Sequence, residues 1–152
     1  MTRKFLFYIL FTLLPCCAYS KVPSLRQALN WMNKNTTYQY MRSQLNNLGF
    51  DRMEKDYARK YEYYFYNTDD CIFIVITMGV NTVDKISYRF MENRIEAHNM
   101  LLQLKREAKV ESEVKTDKYG SIHEVFKING YIADYQISKD GYSFFDLSRP
   151  LW

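Results

Sequence analysis

The spacing of apolar residues predicts two short helices near the start of the chain. Ser24 followed by Gln27 has the form of a capping box, and Thr37 can cap a second helix that Gly49 ends as a left-handed C-cap. Apolar residues at helical spacing give each helix one face for a core: Leu25, Ala28, Leu29 and Met32 in the first, and Tyr38, Met41, Leu45 and Leu48 in the second.

From Tyr61 onward the hydrophobic period changes to two. Tyr61, Tyr63 and Phe65 alternate with Glu62, Tyr64 and Tyr66, as in a half-buried strand. Residues 71–78 are apolar at nearly every position, which indicates a central strand. Residues 85–90 alternate again. A helix that runs to about Ala108 follows. Its residues at helical spacing are Ile95, His98, Leu101, Leu102 and the run from Met100 to Leu104, and we expect His98 to flank the core.

The rest of the chain is typical of β structure. Strands are predicted near 110–116, 121–128, 131–138 and 142–147, separated by turns at 117–120, 129–130 and 139–141. Asn-Gly at 129–130 is a strong hairpin signal. Runs of helix and runs of strand predict an α+β fold, in which an antiparallel sheet of about six to seven strands packs against two to three helices.

The first 20 residues have the pattern of an export signal. Arg3 and Lys4 precede an apolar run of ten residues, 5–14, which is well short of the ~20 that a membrane span needs. We predict a signal peptide at 1–20, a single α+β domain at 21–152, and a location in the periplasm or at the cell surface, with no transmembrane span after cleavage. The alternative is a lipoprotein that begins at Cys16 or Cys17, although Pro15 before Cys16 counts against a lipobox.

Charge and cysteine content narrow the range of functions. Cleavage after residue 20 leaves 19 basic and 17 acidic residues, a net charge of +2 that does not favour nucleic acid as a partner. Only Cys71 remains, so no internal disulfide can form. We expect Cys71 to be buried and unreactive, with an intermolecular disulfide as the alternative.

The sequence predicts no catalytic residue, no metal site and no cofactor. His98 and His123 show no metal-ligand spacing, and the carboxylates of Asp69-Asp70, Glu111 and Glu113 fit a turn and a solvated strand face. Nucleotide-binding, nucleophile-elbow and zinc-protease motifs do not occur in the chain.

Aromatic residues on both faces of one strand suggest a binding surface. Tyr64 and Tyr66, with Glu62, fall opposite Tyr63 and Phe65. They are therefore either covered by a helix or available to a ligand. We predict a non-enzymatic binding module that holds a protein or glycan of the cell envelope. The alternative is a small envelope hydrolase or inhibitor-like domain whose site combines residues distant in sequence.

The order of these elements resembles small exported proteins of Gram-negative bacteria. The resemblance rests on Ser24-Leu25, on Leu45-Asn46-Asn47-Leu48-Gly49-Phe50 and on residues 83–90, and it covers about residues 24–108. Those proteins carry a capped helix that ends in Leu-x-x-x-Gly-Phe or Gly-Trp before a meander. The resemblance implies an α+β fold, and it assigns no activity and no site residue.

Overall fold

The computed structural model describes residues 22–33, 36–50, 52–55, 62–66, 71–76, 82–90, 95–108 and 112–150. The predicted signal peptide, the cysteines of the lipoprotein alternative, Tyr61, the Asp69-Asp70 pair and Glu111 lie outside these residues.

Within the described residues, three helices and eight strands form. The helices are α1 (Leu25–Trp31), α2 (Tyr38–Asn47) and α3 (Ile95–Glu107). The strands are β1 (Arg52–Lys55), β2 (Glu62–Tyr66), β3 (Cys71–Ile76), β4 (Lys85–Phe90), β5 (Glu113–Thr116), β6 (Ile122–Ile128), β7 (Tyr131–Ile137) and β8 (Ser143–Ser148). The predicted α+β fold with an antiparallel sheet is confirmed, and β1 is a strand that the sequence did not indicate. No helix in the described ranges is both long and apolar enough to cross a membrane.

The sheet consists of two meanders joined along their inner strands. Its strand order is β1-β2-β3-β4-β8-β7-β6-β5, and every neighbouring pair is antiparallel. Helix α3 follows β4 and leads to β5 at the far edge, after which three hairpin steps bring β8 back beside β4. This junction places Tyr88 of β4 directly opposite Phe145 of β8.

One face of the sheet packs against the helices. Tyr38 of α2 lies on Tyr63 with ring centroids 4.4 Å apart, and the Tyr131 hydroxyl donates a hydrogen bond of 2.9 Å to the Met32 carbonyl at the end of α1. Because strand residues alternate between faces, the buried apolar residues that the structure describes in the strands point to this side. The buried strand residues on this face include Phe65, Ile86, Tyr88, Phe90, Phe126, Ile128, Ala133, Tyr135, Phe145 and Leu147.

Local signals in the sequence set the ends of several elements. Both hydrogen bonds of the Ser24/Gln27 capping box form, and the Thr37 hydroxyl accepts from the Tyr40 N–H at 3.2 Å. Asn129 and Gly130 have φ of 49° and 81°, the left-handed values that a type I′ hairpin turn requires.

The core-facing side of α3 differs from the sequence prediction. Ala97, Met100 and Leu104 are buried, whereas Ile95 is 76% exposed and Leu102 is 51% exposed. His98 is exposed as well. The prediction is confirmed for Met100 and Leu104 and wrong for Ile95, His98 and Leu102. Helix α3 carries apolar residues at helical spacing on more than one side, and the sheet selects the stripe that begins at Ala97.

Candidate binding face of the sheet

The second face of the sheet points away from all three described helices, and we call it the open face. It carries the strand residues that alternate with the buried ones. Ser87 is its most buried described side chain in β4, at 7% exposure, while Arg89 is exposed. An antiparallel sheet commonly leaves one face to solvent, but this face is distinctive in the order of its charges.

Cross-strand pairing arranges the charges of the open face in rows that run across the strands. One row, the basic row, contains Arg52, Tyr66, Arg89, Phe144, Gln136, His123 and Lys115 and crosses β3 at the backbone of residue 72. The neighbouring row, the acidic row, contains Glu54, Tyr64, Ser87, Asp146, Asp134, Val125 and Glu113 and crosses β3 at the backbone of residue 74. Neighbouring strands are about 4.8 Å apart, so each row spans roughly 30 Å of the sheet.

Ion pairs connect the acidic row to cations on either side of it. Arg52 contacts Glu54 at 2.8 Å, and Lys85 contacts Asp146 at 2.6 Å. Arg89, in the middle of the basic row, makes no ion pair with any described residue. Lys115 and Lys127 on the same face also lack an ion pair with a described residue, but of these three cations only Arg89 lies in a central strand. Its planar guanidinium can bind an anion through paired hydrogen bonds.

A central depression of about 240 Å³ surrounds Arg89. The half-buried Phe144 contributes an aromatic ring to its wall, and Gln136 contributes an amide that can both donate and accept hydrogen bonds. The central depression is lined by Lys85, Ser87, Arg89, Gln136, Phe144 and Asp146.

The residues predicted for binding, Glu62, Tyr64 and Tyr66, all lie half-buried on the open face. The Tyr64 hydroxyl donates to Glu62 Oε2 at 2.8 Å, and the Tyr66 hydroxyl lies 3.4 Å from Glu54 Oε2. Burial and the negative charge of Glu54 raise the pKa of Tyr66. With Lys55, the side chains of Glu54, Tyr64 and Tyr66 line a second depression of about 260 Å³. The described helices all pack on the opposite face of the sheet, so none of them buries Tyr64 or Tyr66 as the alternative prediction required.

His123 is the one histidine in the basic row, and carboxylates face both of its ring nitrogens. Nδ1 lies 2.9 Å from Asp134 Oδ2, and Nε2 lies 3.6 Å from Asp117 Oδ2. The hydrogen bond to Asp134 and the nearby carboxylate charges raise the pKa of His123 against the opposing effect of burial. A general base needs a ring nitrogen that faces its substrate. This geometry instead lets His123 of β6 link Asp134 of β7 to Asp117 of the turn before β6.

The sequence indicated the orientation of Lys85, Ser87 and Arg89 but not the depression that they share with β8. The signal was the alternation of β4, whose even-numbered residues are apolar. Phe144, Asp146 and Gln136 join them only because β8 pairs with β4 and β7 pairs with β8. The side chain of Cys71, at the first position of β3, lies outside what the structure describes.

Comparisons of the chain with protein-family models, with curated proteins and with solved structures find no match. In the ranges that the structure describes, no group of three or more His, Cys, Asp or Glu side chains is arranged to hold a metal ion. The function must therefore be inferred from the geometry of the open face.

Proposed function

We propose that this protein is an exported, non-enzymatic binding module of the periplasm or cell surface that holds an acidic glycan on its open face. The central depression is the observation that carries the proposal. It combines the Phe144 ring with the guanidinium of Arg89, the amide of Gln136 and the carboxylate of Asp146. Binding sites commonly join an apolar wall to a few polar groups that fix orientation.

These groups suit the two surfaces of a sugar ring. The C–H face of a pyranose can pack on an aromatic ring such as Phe144, while its hydroxyls lie at the rim. Gln136 offers both a donor and an acceptor to those hydroxyls, and Asp146 offers acceptors.

The charge of the basic row favours a glycan that carries carboxylate, sulfate or phosphate groups. Arg89 is exposed and lacks an ion-pair partner among the described residues, and a guanidinium binds such anions through paired hydrogen bonds. A ligand that follows the row would reach Tyr66 on one side and Gln136 on the other. The predicted tyrosine surface and the central depression would then be parts of one extended site.

Charge at the middle of the face also favours a glycan over a protein partner. The centres of protein interfaces are depleted in charged residues and enriched in apolar ones. Here Lys85, Arg89 and Asp146 occupy the central strands of the face.

The hydrolase alternative has one observation in its favour, since Asp134 and Asp146 are paired across β7 and β8. Glycoside hydrolases also act through two carboxylates that lie near each other. Each of these two carboxylates, however, has its own basic partner, the His123 ring at 2.9 Å and the Lys85 ammonium at 2.6 Å.

The proposal is tested by titrating the protein with polygalacturonate, heparin and neutral dextran in a calorimeter. We expect binding to the anionic polymers and little to dextran. Arg89→Ala should remove the preference for anions, and Phe144→Ala should weaken binding at least about tenfold, or about 1.4 kcal/mol. Lys127→Ala is the matched control, because Lys127 is an exposed cation of the open face outside the depression.

Three results would contradict the proposal. The first is that no anionic polymer binds, and the second is that Phe144→Ala binds as the unchanged protein does. The third is an increase in reducing ends during the titration, which would favour the hydrolase.

The tyrosines provide a second test. Tyr64→Ala combined with Tyr66→Ala should leave the fold intact and weaken binding to long anionic polymers, because large aromatic side chains dominate binding surfaces. Phe65→Ala on the same strand should instead destabilise the protein by about 3–5 kcal/mol, since Phe65 is fully buried. Unfolding of the Tyr64/Tyr66 double variant would show that this part of the open face is covered.

A further inference from the structure

Strand β5 ends the sheet on one side, and its outer edge is the feature from which we infer a second interaction. All four of its residues are exposed, and Val114 is 64% exposed. Among the described strands, β5 pairs only with β6. An edge of this kind presents unpaired backbone groups to which another strand can bind.

The hydrogen-bonding pattern shows which groups of β5 face outward. The Asp117 N–H donates to the Ser121 carbonyl at 3.0 Å, so residues 117 and 121 form a hydrogen-bonded pair with β6. Such pairs alternate along an antiparallel ladder. The backbone groups of Glu113 and Lys115 therefore point to β6, while those of Ser112, Val114 and Thr116 point to the free edge.

The side-chain charges of β5 are complementary to those of a second copy of the same strand. If two copies pair antiparallel about a two-fold axis at Val114, Glu113 of each copy lies opposite Lys115 of the other. The two Val114 residues then exchange both backbone hydrogen bonds, and Ser112 and Thr116 form the flanking hydrogen-bonded pairs. Opposite charges directly across two strands stabilise the pairing, and like charges destabilise it.

Exposed apolar side chains lie near this edge on the helix side of the sheet. Ile122 and Ile137 are paired across β6 and β7, and they are 49% and 40% exposed. They lie on the same side of the sheet as Val114. Monomeric proteins rarely leave contiguous apolar surface beside an open edge.

We propose that the protein forms a two-fold symmetric dimer through β5, in which the two sheets become one continuous sheet. An isologous contact of this kind closes on itself and does not extend into a fibre. Both open faces then lie on the same side of the joined sheet, so that one long polymer can bind two copies.

Charge variants of β5 test this pairing against any other association. The unchanged protein should sediment as a dimer over about 1 to 100 μM. Lys115→Glu places Glu opposite Glu, and Glu113→Lys places Lys opposite Lys, so each variant should be monomeric with an unchanged circular dichroism spectrum. The double variant Glu113→Lys/Lys115→Glu restores complementary pairs and should dimerise again.

Mixing the two single variants provides the sharpest measurement. The Lys115→Glu chain then presents glutamate at both positions, and the Glu113→Lys chain presents lysine at both. Every cross-strand pair of the mixed dimer is therefore complementary, so a heterodimer should form although neither variant dimerises alone. The inference is overturned if the unchanged protein is monomeric throughout the range, or if a single variant remains dimeric. Failure of the mixture to associate, or growth of the unchanged protein beyond a dimer, would likewise overturn it.

Discussion

The assignment of the two sheet faces can be tested with two neighbouring phenylalanines of β8. Phe145 is fully buried, lies 5.3 Å from the ring of Tyr88, and is paired in register with Tyr135. Removing a buried phenylalanine side chain costs about 3–5 kcal/mol, since the cavity it leaves closes only in part. Phe145→Ala should therefore remove a large share of a total stability that is typically about 5–15 kcal/mol.

Phe144 is the matched control because it has the same chemistry at the next position. It is half-buried, points to the open face and lines the central depression. Away from the core, a substitution usually changes stability by little, so we expect Phe144→Ala to cost about 1 kcal/mol or less.

Urea unfolding followed by circular dichroism measures the difference. The midpoint should fall strongly for Phe145→Ala and slightly for Phe144→Ala, with the same slope for both variants. In a thermal melt the corresponding decrease for Phe145→Ala is roughly 10–20 °C for a domain of this size.

Equal destabilisation by the two variants would refute the face assignment, because Phe144 would then be packed as tightly as Phe145. A nearly neutral Phe145→Ala would contradict the register between β4 and β8. That result would also remove the basis for the central depression, which depends on the same pairing.

Three further predictions follow from single contacts. The raised pKa of His123 contributes stability that is complete below its ordinary pKa of 6.5 and is lost as the pH rises through the higher folded-state pKa. The unfolding free energy should therefore fall as the pH rises above 6.5, and less so in His123→Gln. The pKa of Asp117 is lowered, first by the hydrogen bond from the backbone N–H of Ser121. The ionised Asp117 therefore stabilises the folded protein above pH 3.8, and this stabilisation is lost as the pH falls through the folded-state pKa. Ser24→Ala removes the two hydrogen bonds that its hydroxyl makes with Gln27 and should cost about 1 kcal/mol in urea unfolding. Arg149→Ala removes the 2.6 Å hydrogen bond to the Met32 carbonyl, and a bond from a charged donor is worth about 1.5–3 kcal/mol in the same assay.

Elements set by neighbouring residues could be predicted from the sequence. The capping box at Ser24, the αL glycine at 49 and the Asn129-Gly130 turn each depend on contacts within a few residues. The alternation around Phe65 also placed Tyr64 and Tyr66 on the face opposite the core, because side chains along a strand alternate with a period of two.

Elements set by distant contacts could not be predicted. Strand β1 is short, with a charged residue at every position except Met53, and its pairing with β2 defines it as a strand. The buried stripe of α3 was ambiguous because Leu102 and Leu104 are both leucines in apolar patterns, and only the position of the sheet distinguishes them. The central depression requires β4 and β8 to pair across more than 50 residues of sequence, which no local signal specifies.

The arrangement of charges on the open face argues for a ligand at Arg89 rather than for simple solvation. If the charges of the open face served solubility alone, neighbouring opposite charges would be expected to pair, as Arg52 pairs with Glu54 and Lys85 pairs with Asp146. Arg89, Lys115 and Lys127 lack such a partner among the described residues, and of these three only Arg89 lies in a central strand, directly opposite Phe144. An exposed arginine without an ion-pair partner adds little to the stability of the fold, and beside Phe144 its guanidinium is placed to bind the anionic group of the ligand that we propose.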